Sequence, residues 1–324
     1  LNLKQLEVAA QKIAFGNQLV DELKSLKHLV SLTIYYHIEP NDLLELLDNL
    51  PSLKKLTIKD EWLFPETIEN EIEYQMVNQS NIEQLDLDFP IEIDSEDKAI
   101  FFASFLKLFE NLKSLKLYIC CEGNITLLEP IAEFINNLEF LKDLTLGTFL
   151  RSGKVLSLFL KSLDQVRNLE KLAMTYKLSF GGTWDQNIEN TFRAIDNFLM
   201  RNKSLKRLEM YWEKFSLHCM ENLRETMKKL PALDYFQLVY VSLYSEHGQV
   251  HDQILDMISK ALRESRKFDE VSVITSCPKN FYGGCKQRTN ALDAEFRKKK
   301  RIKYFSIKTV RFIWTPFYKD GLVF

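Results

Sequence analysis

The side chains best suited to catalysis or metal binding are few and scattered. His247 and His251 have the i, i+4 spacing of two metal ligands, but no glutamate follows His247, so the HExxH pattern of zinc hydrolases is absent. Neither of the glycine pairs at 181–182 and 283–284 belongs to the pattern of a phosphate-binding loop, GxxxxGK followed by Ser or Thr. The sequence therefore predicts no catalytic residue, no metal and no cofactor, and we expect neither an enzyme nor a small-molecule substrate.

The cysteines indicate a reducing environment. There are five of them, an odd number without a CxxC pair: Cys120, Cys121, Cys219, Cys277 and Cys285. We therefore expect free thiols and a cytoplasmic protein. The basic run at 297–301 leaves a nuclear location open, although its place at the end of a helical stripe favours a role as solvated cations near a helix C-terminus.

Charge and hydropathy favour a protein as the partner. Lysine and arginine number 43 and aspartate and glutamate 45, so the net charge of -2 creates no field that would attract nucleic acid or an anionic membrane. No apolar run approaches the roughly 18 residues of a membrane span. The first residues lack the features of a signal peptide. We expect protein partners, without nucleic acid or membrane.

The strongest pattern is a repeated frame of apolar anchors at positions 0, +3 and +5. Its mean spacing is about 30 residues, which is typical of solenoid repeats. The frames are Leu3/Leu6/Val8, Leu29/Leu32/Ile34, Leu53/Leu56/Ile58, Ile82/Leu85/Leu87, Leu112/Leu115/Leu117, Leu141/Leu144/Leu146, Leu169/Leu172/Met174, Leu205/Leu208/Met210, Leu233/Phe236/Leu238, Phe268/Val271/Val273 and Ile302/Phe305/Ile307.

Each repeat combines a strand with a helix. Residues 53–58 alternate apolar and polar side chains, as expected of a strand with one buried face, whereas residues 42–50 carry apolar side chains at helical spacing. Strands of a parallel sheet lie about 4.8 Å apart and helices with side chains are about 10 Å wide. The sheet should therefore line the concave face of a curved α/β solenoid, with helices on the convex face.

These frames resemble the leucine-rich repeat proteins, in particular the ribonuclease-inhibitor-like type. The resemblance covers the whole chain and implies a single horseshoe-shaped domain of about ten to eleven repeats over residues 1–324. Residues 1–28 form the first repeat, which would lack an N-terminal cap, so we expect further chain or a partner there. Residues 309–324 are expected to form a C-terminal capping tail. The family places Asn or Cys three residues after the third anchor, and here only Cys120 conforms.

A cluster of aromatic residues predicts the binding surface. The residues at +2, +4 and +6 should project from the face that the helices leave uncovered, and long loops after the strands anchored at Leu169, Leu233 and Phe268 should leave one rim. Exposed Tyr, Trp and Arg dominate interface energetics. The predicted partner-binding residues are Tyr176, Trp184, Arg207, Tyr211, Trp212, Tyr235, Tyr240 and Tyr244.

The resemblance leaves three functions open. We favour a non-catalytic scaffold or adaptor subunit of a larger intracellular assembly, of which a cytoskeletal or ciliary complex would be one example. A substrate-receptor subunit of a ubiquitin ligase is one alternative. The other is a GTPase-regulating leucine-rich repeat protein, for which Arg151 is the residue to test.

Overall fold

The structure is a computed structural model. It describes residues 3–8, 21–35, 38, 40–59, 81–121, 124–148, 153–176, 188–212, 217–241, 253, 255–260, 264, 269–277, 286–287, 290–294 and 304–311. Every structural statement below concerns these residues.

Strands alternate with helices from β2 to β3 and from β4 to β9, as the repeats predict. The strands are β1 Gln5–Val8, β2 Ser31–Ile34, β3 Lys55–Ile58, β4 Gln84–Ile93, β5 Ser114–Cys121, β6 Asp143–Thr148, β7 Lys171–Tyr176, β8 Arg207–Trp212, β9 Tyr235–Val241, β10 Glu270–Cys277 and β11 Tyr304–Arg311. The helices are α1 Pro40–Asn49, α2 Glu96–Leu106, α3 Glu129–Asn136, α4 Gly153–Ser162, α5 Ile188–Arg201 and α6 Leu217–Lys228, and a short 3-10 helix spans Ile125–Leu128.

The chain divides into two compact units. The first comprises Leu1–Glu209 and Lys229–Leu233, and the second comprises Met210–Lys228 and Asp234–Phe324. The division falls inside β8. The first unit therefore holds strands β1 to β7, the first half of β8 and helices α1 to α5, whereas the second holds the rest of β8, α6 and strands β9 to β11.

Within each unit the strands are parallel and follow chain order. In the first unit, Leu32, Leu56 and Leu85 stand opposite one another across β2, β3 and β4. In the second, Val271 of β10 pairs with Phe236 of β9 and Phe305 of β11. All six residues occupy the +3 position of the predicted frame. Equivalent positions of the sequence repeat therefore lie opposite one another on neighbouring, hydrogen-bonded strands.

The anchors form the core on one side of the sheet. From Leu29 to Val273, the anchors with described side chains are at most 7% exposed. Side chains at alternating strand positions face the other way, and in β5 they are only half-buried. Burying each Leu or Ile contributes about 1.5 to 3 kcal/mol, which makes the anchors the main source of stability.

The helices supply the other wall of this core. Ser95 caps the N-terminus of helix α2, and its Oγ accepts a hydrogen bond from the amide of Lys98 at 3.3 Å. Its buried residues include Phe102 and Phe105, and the ring of Phe105 meets that of Phe109 edge-on with centroids 5.1 Å apart. Consecutive helices from α2 to α5 contact one another, so each repeat completes the core of its neighbours.

Asparagines connect neighbouring repeats where a helix turns toward the next strand. Asn202 is fully buried; its Nδ2 donates to the carbonyl of Val166 at 3.1 Å and its Oδ1 accepts from the amide of Leu169 at 3.2 Å. Asn136 donates in the same way to the carbonyl of Ser162 at 2.7 Å. These side chains satisfy buried backbone groups in the preceding or following turn.

The turn position predicted for Cys120 is taken by the next residue. Cys120 lies within β5 and is half-buried, because the strand continues through Cys121. The Cys121 thiol is buried and donates to the carbonyl of Asn124 at 3.4 Å. The backbone-satisfying role of the family's cysteine is therefore present, one residue later than the spacing predicts.

The predicted fold class is confirmed. Each unit has parallel strands with the repeat frame in register, and each of the helices α1 to α6 lies between two consecutive strands, an α/β arrangement of leucine-rich-repeat type. The single domain over residues 1–324 stays a prediction. Of the predicted capping tail 309–324, residues 309–311 belong to β11, and the remainder lies outside the described residues.

Candidate functional site

The side of the sheet opposite the anchors is the candidate site, and in the first unit we call it the open face. The register aligns its residues in rows that cross the strands. They are Ser31, Thr33, Lys55, Thr57, Gln84, Asp86, Ser114, Lys116, Tyr118, Asp143, Thr145, Gly147, Lys171, Ala173, Thr175, Arg207 and Glu209.

A half-buried ion-pair group, the Lys116 cluster, lies on this face. Lys116 Nζ is 2.9 Å from Asp88 Oδ1 and 3.3 Å from Asp86 Oδ1, and it lies 5.2 Å from the ring centroid of Tyr118. We define the cluster as these four residues. Their side chains hold one another in place, so the group presents a fixed surface rather than freely moving charges.

An irregularity in β4 brings the second aspartate into reach. Asp86 pairs with Lys116, but Pro90 rather than Asp88 pairs with Tyr118, so three residues of β4 lie opposite one residue of β5. Such a bulge re-aims the extra side chains. Asp88 thereby approaches Lys116, although the repeat frame predicts that it stands opposite Tyr118.

Burial and charge act in opposite directions within the cluster. Burial raises the pKa of Asp86 above the value of a free aspartate, even though Lys116 is close. Burial also disfavours the charge on Lys116, but the hydrogen bond that Lys116 donates to Asp88 and the charge of Asp86 outweigh it and raise the pKa of Lys116. Lys116 is therefore charged at neutral pH and makes the cluster's acidic groups compatible with partial burial.

The ring of Tyr118 lies over a glycine on the next strand. Gly147 of β6 pairs with Tyr118, and a Cβ atom built on Gly147 would lie 1.8 Å from the Tyr118 ring carbon Cδ1. Any other residue at 147 would force the ring to move. The glycine therefore leaves the space in which the Tyr118 ring lies on the open face. Burial raises the pKa of the Tyr118 hydroxyl.

A second charged group surrounds Glu209. Its Oε1 accepts from Arg207 Nε at 2.6 Å and lies 3.6 Å from Lys171 Nζ. The Glu209 side chain is largely buried, whereas that of Arg207 is 43% exposed. Asp143 pairs with Lys171 in the register, and burial raises the pKa of Asp143. Arg207, a predicted partner-binding residue, is thus oriented by a buried carboxylate and partly open to a partner.

The other predicted aromatic residues have different outcomes. Tyr211 is half-buried, and so is Tyr235, whose hydroxyl donates to Gln237 Oε1 at 2.6 Å; all three belong to the second unit. Tyr176 and Tyr240 lie in β7 and β9, and only their backbones are described. Outside the described residues lie Trp184, Tyr244, Arg151, His247 and His251.

Trp212 requires a correction. It was predicted to be exposed beside Tyr211, but its side chain is only 2% exposed. Strand periodicity explains the error, because Trp212 has the same parity as the anchors Leu208 and Met210 and therefore points into the core. Trp212 does not contribute an exposed ring to a binding surface.

The sequence signals of the actual clusters were weak. Asp86, Lys116 and Tyr118 occupy open-face positions of the frame, and the alternation of charges suggested only a solvated sheet. The bulge in β4 leaves no trace in the spacing of the anchors Ile82 and Leu112. Gly147 is the one available signal, because a glycine inside a strand marks a bulge or a close approach.

Two further observations concern membrane spanning and metal binding by the described residues. None of the helices in the described ranges combines the length and apolarity needed to cross a bilayer. Among the described residues, no group of three or more His, Cys, Asp and Glu side chains is arranged to hold a metal ion. The groups that the structure does bring together on the open face are ion pairs and an aromatic ring, which suit recognition of another molecule.

Comparisons with known proteins add little detail. No protein-family model matches the sequence, and no curated protein matches it. Several solved structures are similar, among them the crystal structure of a TLR13–ssRNA13 complex, with 16% identity and a TM-score of 0.47. That match covers 97% of this chain, which spans 37% of the TLR13 chain. The fold assignment rests on register and burial: the chain has a fold of leucine-rich-repeat type.

Proposed function

We propose that the protein is a non-catalytic scaffold that binds a protein partner through the open face of its first unit. The observation that carries this proposal is the Tyr118 ring, seated over Gly147 and beside the Lys116–Asp86–Asp88 ion pairs on the side opposite the apolar core. Aromatic side chains with restricted motion are common interface anchors, because little conformational entropy remains to be lost on binding.

The dimensions of the surface also support a macromolecular partner. Neighbouring strands lie about 4.8 Å apart, so the open face from β2 to the first half of β8 extends over roughly 29 Å. With a strand height of roughly 15 to 20 Å, the face offers roughly 500 Å², somewhat more than half of what one partner contributes to a standard interface. A partner that covers this face would therefore also contact a rim of the sheet.

The proposal also includes an adaptor role, a cellular location and further contact residues. An adaptor role within a larger assembly, in a reducing cytoplasm, would suit a chain whose described surface offers charge pairs and a fixed aromatic ring. In the second unit, Tyr211 and Tyr235 remain candidate contact residues because both are half-buried rather than fully enclosed. Arg207 is the predicted contact residue that the first unit provides.

The proposal is tested by comparing two variants that act on the same ring. Tyr118→Ala removes it, and Gly147→Ala displaces it, since the added Cβ would occupy the position of the ring edge. Affinity capture from native cells, with quantitative mass spectrometry, should show the same partner reduced about tenfold or more by both variants. Ser31→Ala, on the same face but three strands from β5, serves as the control and should retain the partner.

Folded variants that retain the partner would contradict the proposal. Both variants would be checked for an unchanged circular dichroism spectrum and thermal transition before capture. If the folded variants retain the same partners in the same amounts as the wild type, the open face of the first unit is not the binding surface. If only Tyr118→Ala has an effect, the ring contributes without being positioned by Gly147.

A further inference from the structure

A row of charged side chains precedes the strands of the first unit. We call it the strand-start row and define it as Lys54, Glu83, Lys113, Lys142, Glu170 and Lys206, each one residue before its strand. The two glutamates each bind two lysines. The oxygens of Glu83 lie 2.8 Å from Lys54 Nζ and 2.8 Å from Lys113 Nζ. Those of Glu170 lie 2.8 Å from Lys142 Nζ and 2.7 Å from Lys206 Nζ.

The strand-start row contains one step between neighbouring strands at which two lysines follow one another without a glutamate between them. The amides of Lys142 and Asp143 both donate to the carbonyl of Lys113, at 2.9 and 3.0 Å, so Lys113 and Lys142 occupy adjacent rungs. Their side chains are 53% and 60% exposed. Each ammonium has three donors and each carboxylate of the row already binds two lysines. A further carboxylate would therefore be favoured at this step, because it would continue the alternation of charge.

An exposed aromatic side chain lies next to the same step. Phe140 is 55% exposed and stands two residues before Lys142, in the turn between α3 and β6. Among the described residues, the other exposed large hydrophobic side chains are Tyr35, at 38%, and Ile100, at 50%. A single exposed apolar residue is ordinary. An exposed phenylalanine two residues from Lys142 instead offers an apolar contact near a charge-paired one, a combination that interfaces use.

The surroundings favour a protein segment over a polyanion. Glu110 and Glu139 are exposed in the turns that lead to Lys113 and Lys142. A nucleic acid or an anionic membrane would bring several phosphates against these carboxylates, and the repulsion would oppose binding. A single carboxylate with an apolar neighbour would meet the two lysines and Phe140 while leaving both glutamates in water.

We propose that Phe140, Lys113 and Lys142 form a second docking surface, which binds a protein segment that carries an acidic side chain next to an apolar one. The carboxylate binds between the two ammonium groups, and the apolar side chain packs on the Phe140 ring. This edge site is separate from the open face, so it does not depend on the function proposed above.

The test uses the purified full chain and a random-peptide display library. Selected peptides should be enriched in Asp or Glu beside Phe, Leu or Trp, and a synthetic copy of the most enriched peptide then serves as the probe. Phe140→Ala and the double variant Lys113→Gln/Lys142→Gln should each weaken its binding about tenfold or more. The matched control is Lys54→Gln/Lys206→Gln, which makes the same chemical change at the outer lysines and should leave affinity nearly unchanged.

Several results would overturn the inference. These are selected peptides without an acidic residue, equal weakening by the inner and outer lysine variants, and no enrichment over a selection on Phe140→Ala. Tighter binding of a single-stranded oligonucleotide or of anionic vesicles than of the peptide would also overturn it. Tyr118→Ala should bind the peptide like the wild type, so failure of the open-face proposal is distinguishable from failure of this one.

Discussion

The Lys116 cluster and the strand-start row use the same residue types in different surroundings. Lys116 lies on the open face and its side chain is 25% exposed, whereas the four lysines of the row are more than half exposed. The glutamates of the row are held charged by hydrogen bonds from lysines, which lower the pKa of Glu83 and of Glu170 to about 2. Burial instead raises the pKa of Asp86.

This difference gives the two regions opposite responses to acid. A carboxyl whose folded pKa is lowered stabilises the fold above its unfolded value, and that stabilisation is lost as the pH falls through the folded pKa. Glu83 and Glu170 therefore lose their contribution between about pH 4.5 and about pH 2. Asp86 has a raised pKa, so its titration favours the fold at low pH, and this contribution disappears as the pH rises through its folded pKa.

Replacing the central lysine should have the largest effect on stability. Lys116→Met leaves Asp86 and Asp88 close together and partly buried without their shared cation. We expect a loss of about 2 to 3 kcal/mol in the free energy of unfolding, below the 3 to 5 typical of fully buried pairs. Urea denaturation measures it, and Lys55→Met on strand β3 is the control, with a change within about 0.5 kcal/mol. Equal effects at the two positions would show that the cluster is no more than a surface ion pair.

Replacing one acid of the cluster should have a much smaller effect. Asp86→Asn removes a carboxylate that burial disfavours, and Asp88 still pairs with Lys116 at 2.9 Å. We expect the unfolding free energy at pH 7 to change by less than about 1 kcal/mol, in either direction. The variant should also lose the part of the wild-type pH dependence that Asp86 contributes between the pKa of an unfolded aspartate and its own raised folded pKa. A loss as large as that of Lys116→Met would mean that Asp86 is the main partner of the lysine.

The smallest effect is expected at the strand-start row. Glu170→Gln removes two exposed ion pairs, which are screened by solvent and salt. The melting temperature should fall slightly at pH 7, and less in high salt. Because the pKa of Glu170 is lowered to about 2, the difference from the wild type should vanish as the pH falls from about 4.5 to about 2. A difference that is unchanged at pH 2 would exclude the charge of Glu170 as its cause.

The fold was predictable because its signal is repeated. Each frame places three anchors on one face, and an error in one repeat is corrected by the others; the buried residues from Leu29 to Val273 follow this pattern. The site was less predictable, because it depends on single events. The bulge between Asp86 and Pro90 and the contact of Tyr118 with Gly147 each occur in one repeat. Periodicity alone should have placed Trp212 in the core, since it shares the parity of Met210.

Radical footprinting of the captured complex tests the central claim most directly. It compares the labelling of Tyr118, on the open face, with that of Ile100, which is 50% exposed on helix α2. If a partner binds the open face of the first unit, Tyr118 becomes protected in the complex while Ile100 reacts as in the free protein. Protection of Ile100 with unchanged labelling of Tyr118 would contradict the account, because the partner would then bind the helical side.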